Sequence, residues 1–181
     1  MELSDGELVL RQWRADDLDA LVIAIDDPEI GRWMPKIPHP YSPEVGAAYL
    51  ARSAGREGRF AIVSADDGTL VGGISLVPKQ WGRAEIGYWI RADARGRGLA
   101  TRALVLVSRW GLERGFRRLQ LHADVENPAS HRVAEKAGFR REGVLRSWIE
   151  HDGRERDHVL FALLRRDLMN RGADDVGYPR A

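Results

Sequence analysis

The run Arg95-Gly96-Arg97-Gly98-Leu99-Ala100-Thr101 has the composition of an anion site. It follows an apolar segment, Glu85-Ile86-Gly87-Tyr88-Trp89-Ile90, that reads as a strand, and it opens a helical pattern. Where a strand turns into a helix, the first backbone N–H groups of the helix have no intrahelical partner and point at a region favoured for negative charge. Glycine at 96 and 98 lets a phosphate approach the main chain closely, and Arg95 and Arg97 add fixed positive charge. Gly-x-Gly alone does not say which phosphate. The third glycine of the dinucleotide fingerprint is missing, Asp124 lies too far on to match its ribose-binding acid, and the Gly-Lys-Ser/Thr ending of a P-loop is absent.

Other chemistries are poorly supplied. There is no cysteine, which removes disulfides, thiolate metal sites and a cysteine nucleophile together. The five histidines show no metal-ligand spacing, so no metal is expected. Arg91, Arg95, Arg97 and Arg102 form a basic cluster, but no aromatics are interleaved with them and the net charge is only +1, which argues against a nucleic-acid partner.

The elements that must position the glycine turn can be read around it. Residues 8–13 alternate and predict a first strand; Asp16 and Asp17 begin a helix with Leu18, Leu21, Val22 and Ile25 on one face. A short helix is expected over 27–33, with Pro28 in its first turn, followed by a proline-rich loop at 34–41 that excludes regular structure. Ser42 and Pro43 cap and open a helix to about residue 53. Residues 60–63 and 70–77, flanking Asp66-Asp67-Gly68-Thr69, read as an antiparallel hairpin.

Beyond the strand at 83–90, residues 99–115 form an amphipathic helix with Trp110 in the core and Gly115 as its C-cap. A strand at 119–125, a helix at 127–137 ended by Gly138, and two strands at 143–150 and 156–164 complete the pattern. This order implies a single mixed α/β sheet with helices on both faces. The chain is long enough for one well-buried domain, expected over 1–170, with 171–181 expected as a disordered tail. No apolar run reaches the roughly 20 residues of a membrane span, and no signal peptide opens the chain, so a cytoplasmic protein without a membrane partner is expected.

Arg95-x-x-Gly98-x-Ala100 resembles the pyrophosphate-binding motif of the GNAT superfamily, Gln/Arg-x-x-Gly-x-Gly/Ala, directly after the expected strand. Asn127-Pro128-Ala129-Ser130, followed by Arg132, Ala134, Glu135, Lys136, Ala137, Gly138 and Phe139, is similar to the Asn-x-x-Ser... Glu-Lys-x-Gly-Phe helix of the same enzymes. More narrowly it resembles the RimJ/RimL-like branch, which acetylates protein N-terminal amines. Leu10-Arg11 with Asp17 and Leu21, and the closing strand at 154–164, also fit that branch, so the resemblance extends over about 7–168. It implies an α/β (α+β mixed) GNAT fold: one mostly antiparallel sheet of about seven strands, helices on both faces, and a splay between the two central strands. It also implies acetyl-CoA as co-substrate and direct attack by an uncharged amine on the thioester, with no covalent enzyme intermediate.

The resemblance assigns roles. The turn Gly96, Arg97, Gly98, Leu99, Ala100 and Thr101, with Arg95, holds the pyrophosphate, and Ile90 offers main-chain groups to the pantetheine arm. Asn127 hydrogen-bonds the pantetheine or holds the splay; as an N-cap before Pro128 it has a local role too, and the two are compatible. Ser130 matches a serine assigned to the leaving thiolate, although a first-turn serine can also satisfy local backbone. Many relatives use a tyrosine further along this helix, and none occurs between Asn127 and Tyr178.

For the general base there are two candidates, Glu85 and Glu150, with a water chain as the third option. Glu150 lies one residue past the family position, which falls on Ile149, and in a strand that offset reverses the face. Trp33, Met34 and Tyr41 border the loop where the family's acceptor site opens, or form a satellite hydrophobic cluster. The implied activity is acetyl transfer to a primary amine, either a protein N-terminal α-amine or a small molecule. A bulkier donor such as succinyl-CoA, an antibiotic amine as acceptor, or a non-catalytic CoA-binding regulator are the alternatives, and a homodimer is left open.

Overall fold

In a computed structural model whose described residues are 1–167, the alternating segments settle into one sheet with a helical layer on each face. The tail expected at 171–181 lies outside the described residues. The strands are β1 (Glu2–Ser4), β2 (Leu8–Gln12), β3 (Arg59–Ser64), β4 (Leu70–Lys79), β5 (Arg83–Ile90), β6 (Arg118–Asp124), β7 (Arg140–His151) and β8 (Arg154–Leu164). Their order is β1-β2-β3-β4-β5-β6-β8-β7, one strand more than expected. The addition is β1, which is too short to show a period and is held by three pairs to β2.

Side-chain alternation divides the core in two. Phe60 and Ile62 of β3 face α4 (Leu99–Glu113), beside Leu104, Val107 and Trp110. Ala61 and Val63 face the opposite layer, against Leu21 and Ile25 of α1 (Leu18–Ile25) and Leu50 of α3 (Pro43–Ser53). Helix α2 (Pro28–Trp33) lies in that second layer and α5 (Pro128–Lys136) in the first. Proline opens α2, α3 and α5, and the side chains of Asp27, Ser42 and Asn127 cap them. No helix among the described residues is long and apolar enough to cross a membrane.

All neighbouring strands are antiparallel except β5 and β6. A parallel pair requires a crossover, and α4 supplies it. The pair is brief: Arg83, Ala84 and Glu85 meet Arg118, Leu119 and Gln120, and then pairing stops although both strands continue. From Ile86 onward β5 is bonded only to β4, and from Leu121 onward β6 only to β8. The sheet therefore opens into a V at its centre. This is the splay between central strands that the sequence resemblance implied.

The entry to α1 is locked to the sheet by a buried ion pair. Arg11 donates from Nη1 and Nη2 to Asp17 at 2.8 and 2.6 Å, and Asp17 also accepts from the Arg14 N–H at 2.8 Å. Burial opposes the Asp17 charge, but the bonds from Arg11 and Arg14 outweigh it and hold the carboxyl below its ordinary value. Asp17→Asn is expected to cost about 3–5 kcal/mol, because it strands the Arg11 charge in the interior. The wild-type contribution is present above the unfolded carboxyl value of about 3.9 and is lost as pH falls through the lower folded value. Denaturant melts of both proteins at neutral and acid pH measure it: the gap between them should close toward low pH.

Candidate active site

The glycine turn forms as its composition dictates. Gly96 and Gly98 take φ of 77° and 79°, the left-handed region that only glycine enters without strain, and Gly98 is the N-cap of α4. It offers no side-chain cap, and no acidic residue lies in the first turn. The first helical bond runs from the Arg102 N–H to the Gly98 carbonyl, so the N–H groups of Leu99, Ala100 and Thr101 lack intrahelical partners. Leu99, Ala100, Thr101, Gly96 and Gly98 line one wall of a cleft of about 430 Å³ that runs into the V. Arg132 and Lys136 of α5 line it too and add positive charge.

The two arginines of the turn are placed differently. Arg95 lines the cleft, but its Nε donates to the Ile90 carbonyl at 3.1 Å and its Nη2 pairs with Asp27 at the start of α2. Its guanidinium thus ties the turn to β5 and α2, and the Ile90 carbonyl is already engaged, although Ile90 itself lines the cleft. Arg97 does not line this cleft at all. Between two left-handed glycines the chain reverses, and Arg97 faces a neighbouring groove with Asp66, Asp67 and Asp93.

Asn127 accepts from the Ser130 N–H at 3.0 Å, so the N-cap role is present. Its other amide group is left for the V, where Asn127 lines both this cleft and a second one. That second cleft, about 210 Å³, lies on the β6–β8 side, with Glu85, His122, Asp124, Trp148, Ile149 and His158 among its walls. Trp33, Met34, Tyr88, Asn127 and Ser130 border both, so the two clefts meet there. Tyr41 borders neither of these clefts; it is buried in the second core and lines a further cavity beside it.

At the meeting point the Tyr88 hydroxyl donates to Ser130 Oγ at 3.2 Å. Burial drives the Tyr88 phenol up to about 12, against a smaller opposing effect of that bond, so it is a neutral hydroxyl at pH 7. Sequence reasoning missed Tyr88. The signal was present in strand period: Tyr88 shares a face with Ala84, Ile86 and Ile90, the face that α5 and Ser130 cover.

Glu85 lines the second cleft, 3.2 Å from Lys79 Nζ and 3.8 Å from His122 Nε2. Burial pushes the His122 imidazole below its ordinary value, more than the Glu85 charge raises it, so the ring is neutral at pH 7. Glu150 is exposed and lines neither cleft, while its neighbour Ile149 does, as the alternation of β7 requires. The pairing of β7 with β8 breaks between Leu145 and Ile149, and Ser147 takes φ of 48°. Asp157 and Glu155 clamp that bulge by accepting from the Ser147 N–H and hydroxyl at 2.9 and 2.6 Å. The bulge re-aims Trp148, which stacks on His122 at 4.8 Å. Among the described residues no three His, Asp or Glu side chains converge as metal ligands would.

A sheet split at its one parallel pair, with an uncapped helix N-terminus at the mouth of the split, defines the GNAT architecture. The chain belongs to the acetyltransferase (GNAT) domain family, which matches residues 7–140. It is 28% identical over 167 residues to a protein named uncharacterized N-acetyltransferase p20 of Bacillus licheniformis, covering 88% of this chain and 94% of that one. An acetyltransferase (GNAT family) from Bacillus anthracis has the same fold, with TM-score 0.85 at 24% identity, over 92% of this chain and 99% of its own. So does the spermidine N-acetyltransferase from Vibrio cholerae, solved in complex with CoA and spermine, with TM-score 0.78 at 22% identity, over 92% and 100%.

Proposed function

We propose that this chain moves the acetyl group of acetyl-CoA onto a primary amine held in the β6–β8 cleft, in the manner of the RimJ/RimL-like branch and in the cytoplasm. The observation that carries the reading is the junction of the two clefts at Tyr88, Asn127 and Ser130. One cleft has the helix N-terminus for a pyrophosphate. The other has carboxylates and neutral imidazoles for an amine. A donor in one and an acceptor in the other would meet at the residues that line both. The Vibrio cholerae neighbour of the same fold was solved with CoA and spermine, a thioester-forming thiol and an amine, which is in keeping with a CoA-dependent amine acetyltransferase.

The turn from Gly96 to Thr101 holds the pyrophosphate through its backbone N–H groups, and the unpaired edge of β5 runs alongside the pantetheine arm. The neutral amine nitrogen attacks the thioester carbon, the carbon–sulfur bond breaks, and the sulfur leaves with the electron pair. The Ser130 hydroxyl, itself accepting from Tyr88, donates to that sulfur. The arriving ammonium first gives one proton to the His122 imidazole, beside Glu85 on the opposite wall, to become the neutral amine, and the second proton, lost after attack, leaves through water.

Calorimetric titration with acetyl-CoA and free CoA tests the first half, and thiol release with a panel of amines and N-terminal peptides tests the second. Stoichiometric CoA binding with amine-dependent thiol release is the expected result. The kcat/KM profile should hold its plateau to below the ordinary histidine value of about 6.5. CoA binding without transfer to any amine would leave a regulator, and no binding of either ligand would sink the reading.

A further inference from the structure

A third cavity, about 620 Å³, lies between α3, the 34–41 loop and strands β3 to β5. It is continuous with the acceptor cleft, because Met34, Lys36 and Gly87 line both. Its floor is bare backbone at Gly87: a Cβ there would stand in the cavity, with only Ser75 Oγ near, at 3.9 Å. Combined with the smaller cleft it has the capacity of a site for a small organic molecule, which commonly spans about 300–1,000 Å³.

The two compartments differ in charge. Glu85 and Asp124 line the one next to the thioester junction. In the larger one no Asp or Glu is among the lining residues described, whereas Arg52, Arg59 and Lys36 are. Arg52 and Arg59 enter no ion pair among the described residues, although Arg11, Arg91, Arg102, Arg114 and Arg118 all do. Both guanidinium groups bear on the same phenol, Tyr49, so their charges converge on one corner of the cavity. Around them the walls are aromatic and aliphatic: Tyr41, Tyr49 and Trp89 with Ile37 and Val45. The carboxylates near the junction are paired, Glu85 with Lys79 at 3.2 Å and Asp124 with Arg156 at 3.5 Å. Among the described residues, the charge that lacks an ion-pair partner is therefore positive and lies at the far end, at Arg52 and Arg59.

Resting on the transferase reading, we propose that the acceptor is a small-molecule amine with an apolar or aromatic body and a carboxylate or phosphate at its far end, seated against Arg52 and Arg59. A polyamine or a basic N-terminal peptide would bring a second positive charge to that corner and is disfavoured by it.

The test uses matched amines on one skeleton: benzylamine against 4-(aminomethyl)benzoate and 4-(aminomethyl)phenyl phosphate, with spermidine and a lysine-rich N-terminal peptide alongside. The anionic members should exceed benzylamine in kcat/KM by about tenfold or more, the scale of one hydrogen bond to a charged group. The benzoate and phosphate members tell the two anions apart. In the double variant Arg52→Gln, Arg59→Gln the ratio should fall toward one through KM. Both arginines reach the surface, one exposed and one half-buried, so a folded variant is expected and a thermal melt checks it. Preference for benzylamine, spermidine or the basic peptide overturns the proposal, as does a ratio that survives in the variant.

Titration with benzoate and phenyl phosphate separates the two levels. Arginine-dependent anion binding without turnover of any amine would sink the transferase reading and keep the anion site. Turnover of amines without arginine-dependent anion binding would do the reverse.

Discussion

Gly98→Val abolishes acetyl-CoA binding and leaves the fold standing: that is the expected result at the pyrophosphate turn. Gly98 has φ of 79°, where a β-branched residue is strained by about 1–2 kcal/mol. A Cβ at 98 meets nothing within 4 Å, so the protein itself does not forbid the side chain. Gly98 lines the cleft beside the free Leu99, Ala100 and Thr101 N–H groups, so the branched side chain adds bulk where the pyrophosphate is proposed to lie. Losing two hydrogen bonds to a charged ligand, at about 1.5–3 kcal/mol each, lowers affinity by roughly 10²–10⁴-fold.

Gly68→Val is the control. It has φ of 72° in the β3–β4 turn and nothing within 4 Å of its Cβ, and it lies away from the cleft. It should carry the same backbone strain with acetyl-CoA affinity unchanged. Calorimetry on both variants, with a thermal melt of each, separates strain from site. Equal loss of affinity in the two, or none at Gly98, would mean that the turn is only structural.

That turn was legible because everything it needs is local. Left-handed glycines, an uncapped helix start and a preceding strand are written within a few residues of each other, and the fold followed from the same kind of signal. Sequence and structure part where a side chain's direction depends on geometry that residue type does not show. The Arg97 side chain is expected at the phosphate because of its charge, but between two glycines of positive φ it faces the next groove, with Asp66, Asp67 and Asp93, and only its backbone stays with the turn. Arg95, expected beside the phosphate, does line the cleft, with its guanidinium also bonded to the Ile90 carbonyl and Asp27. Glu150 fails by strand parity, which the one-residue offset to Ile149 had put in view.

The bulge at Ser147 had no such warning. A serine at φ of 48° is not announced by a glycine, and its clamps, Asp157 and Glu155, lie on the next strand. Long-range pairing also hid the Tyr88–Ser130 contact, made between residues 42 positions apart. Each residue looked ordinary alone, one a strand aromatic and the other a first-turn serine.

Ser130→Ala should reduce kcat by about 10²-fold or more, the usual scale for a positioned proton donor, with acetyl-CoA affinity nearly retained. The departing thiolate needs a proton or a hydrogen bond, and Ser130 Oγ is the hydroxyl at the junction that already accepts a bond, from Tyr88 at 3.2 Å. That frees its proton to point at the sulfur. Tyr88 cannot replace it through ionisation, since its phenol titrates near 12, but as a neutral donor it sets the rotamer and polarity of the serine.

Tyr88→Phe is therefore expected to cost less than Ser130→Ala, about tenfold, and the double variant little more than Ser130→Ala alone, because the two hydroxyls act as one unit. A donor with a more acidic thiol, such as an acetyl thiophenyl ester in which the leaving sulfur needs little help, tells catalysis from structure. The Ser130→Ala penalty should shrink with that donor if Ser130 serves the sulfur. A penalty identical for both donors, or a CoA affinity that falls as far as kcat, would reduce Ser130 to the residue that Asn127 caps.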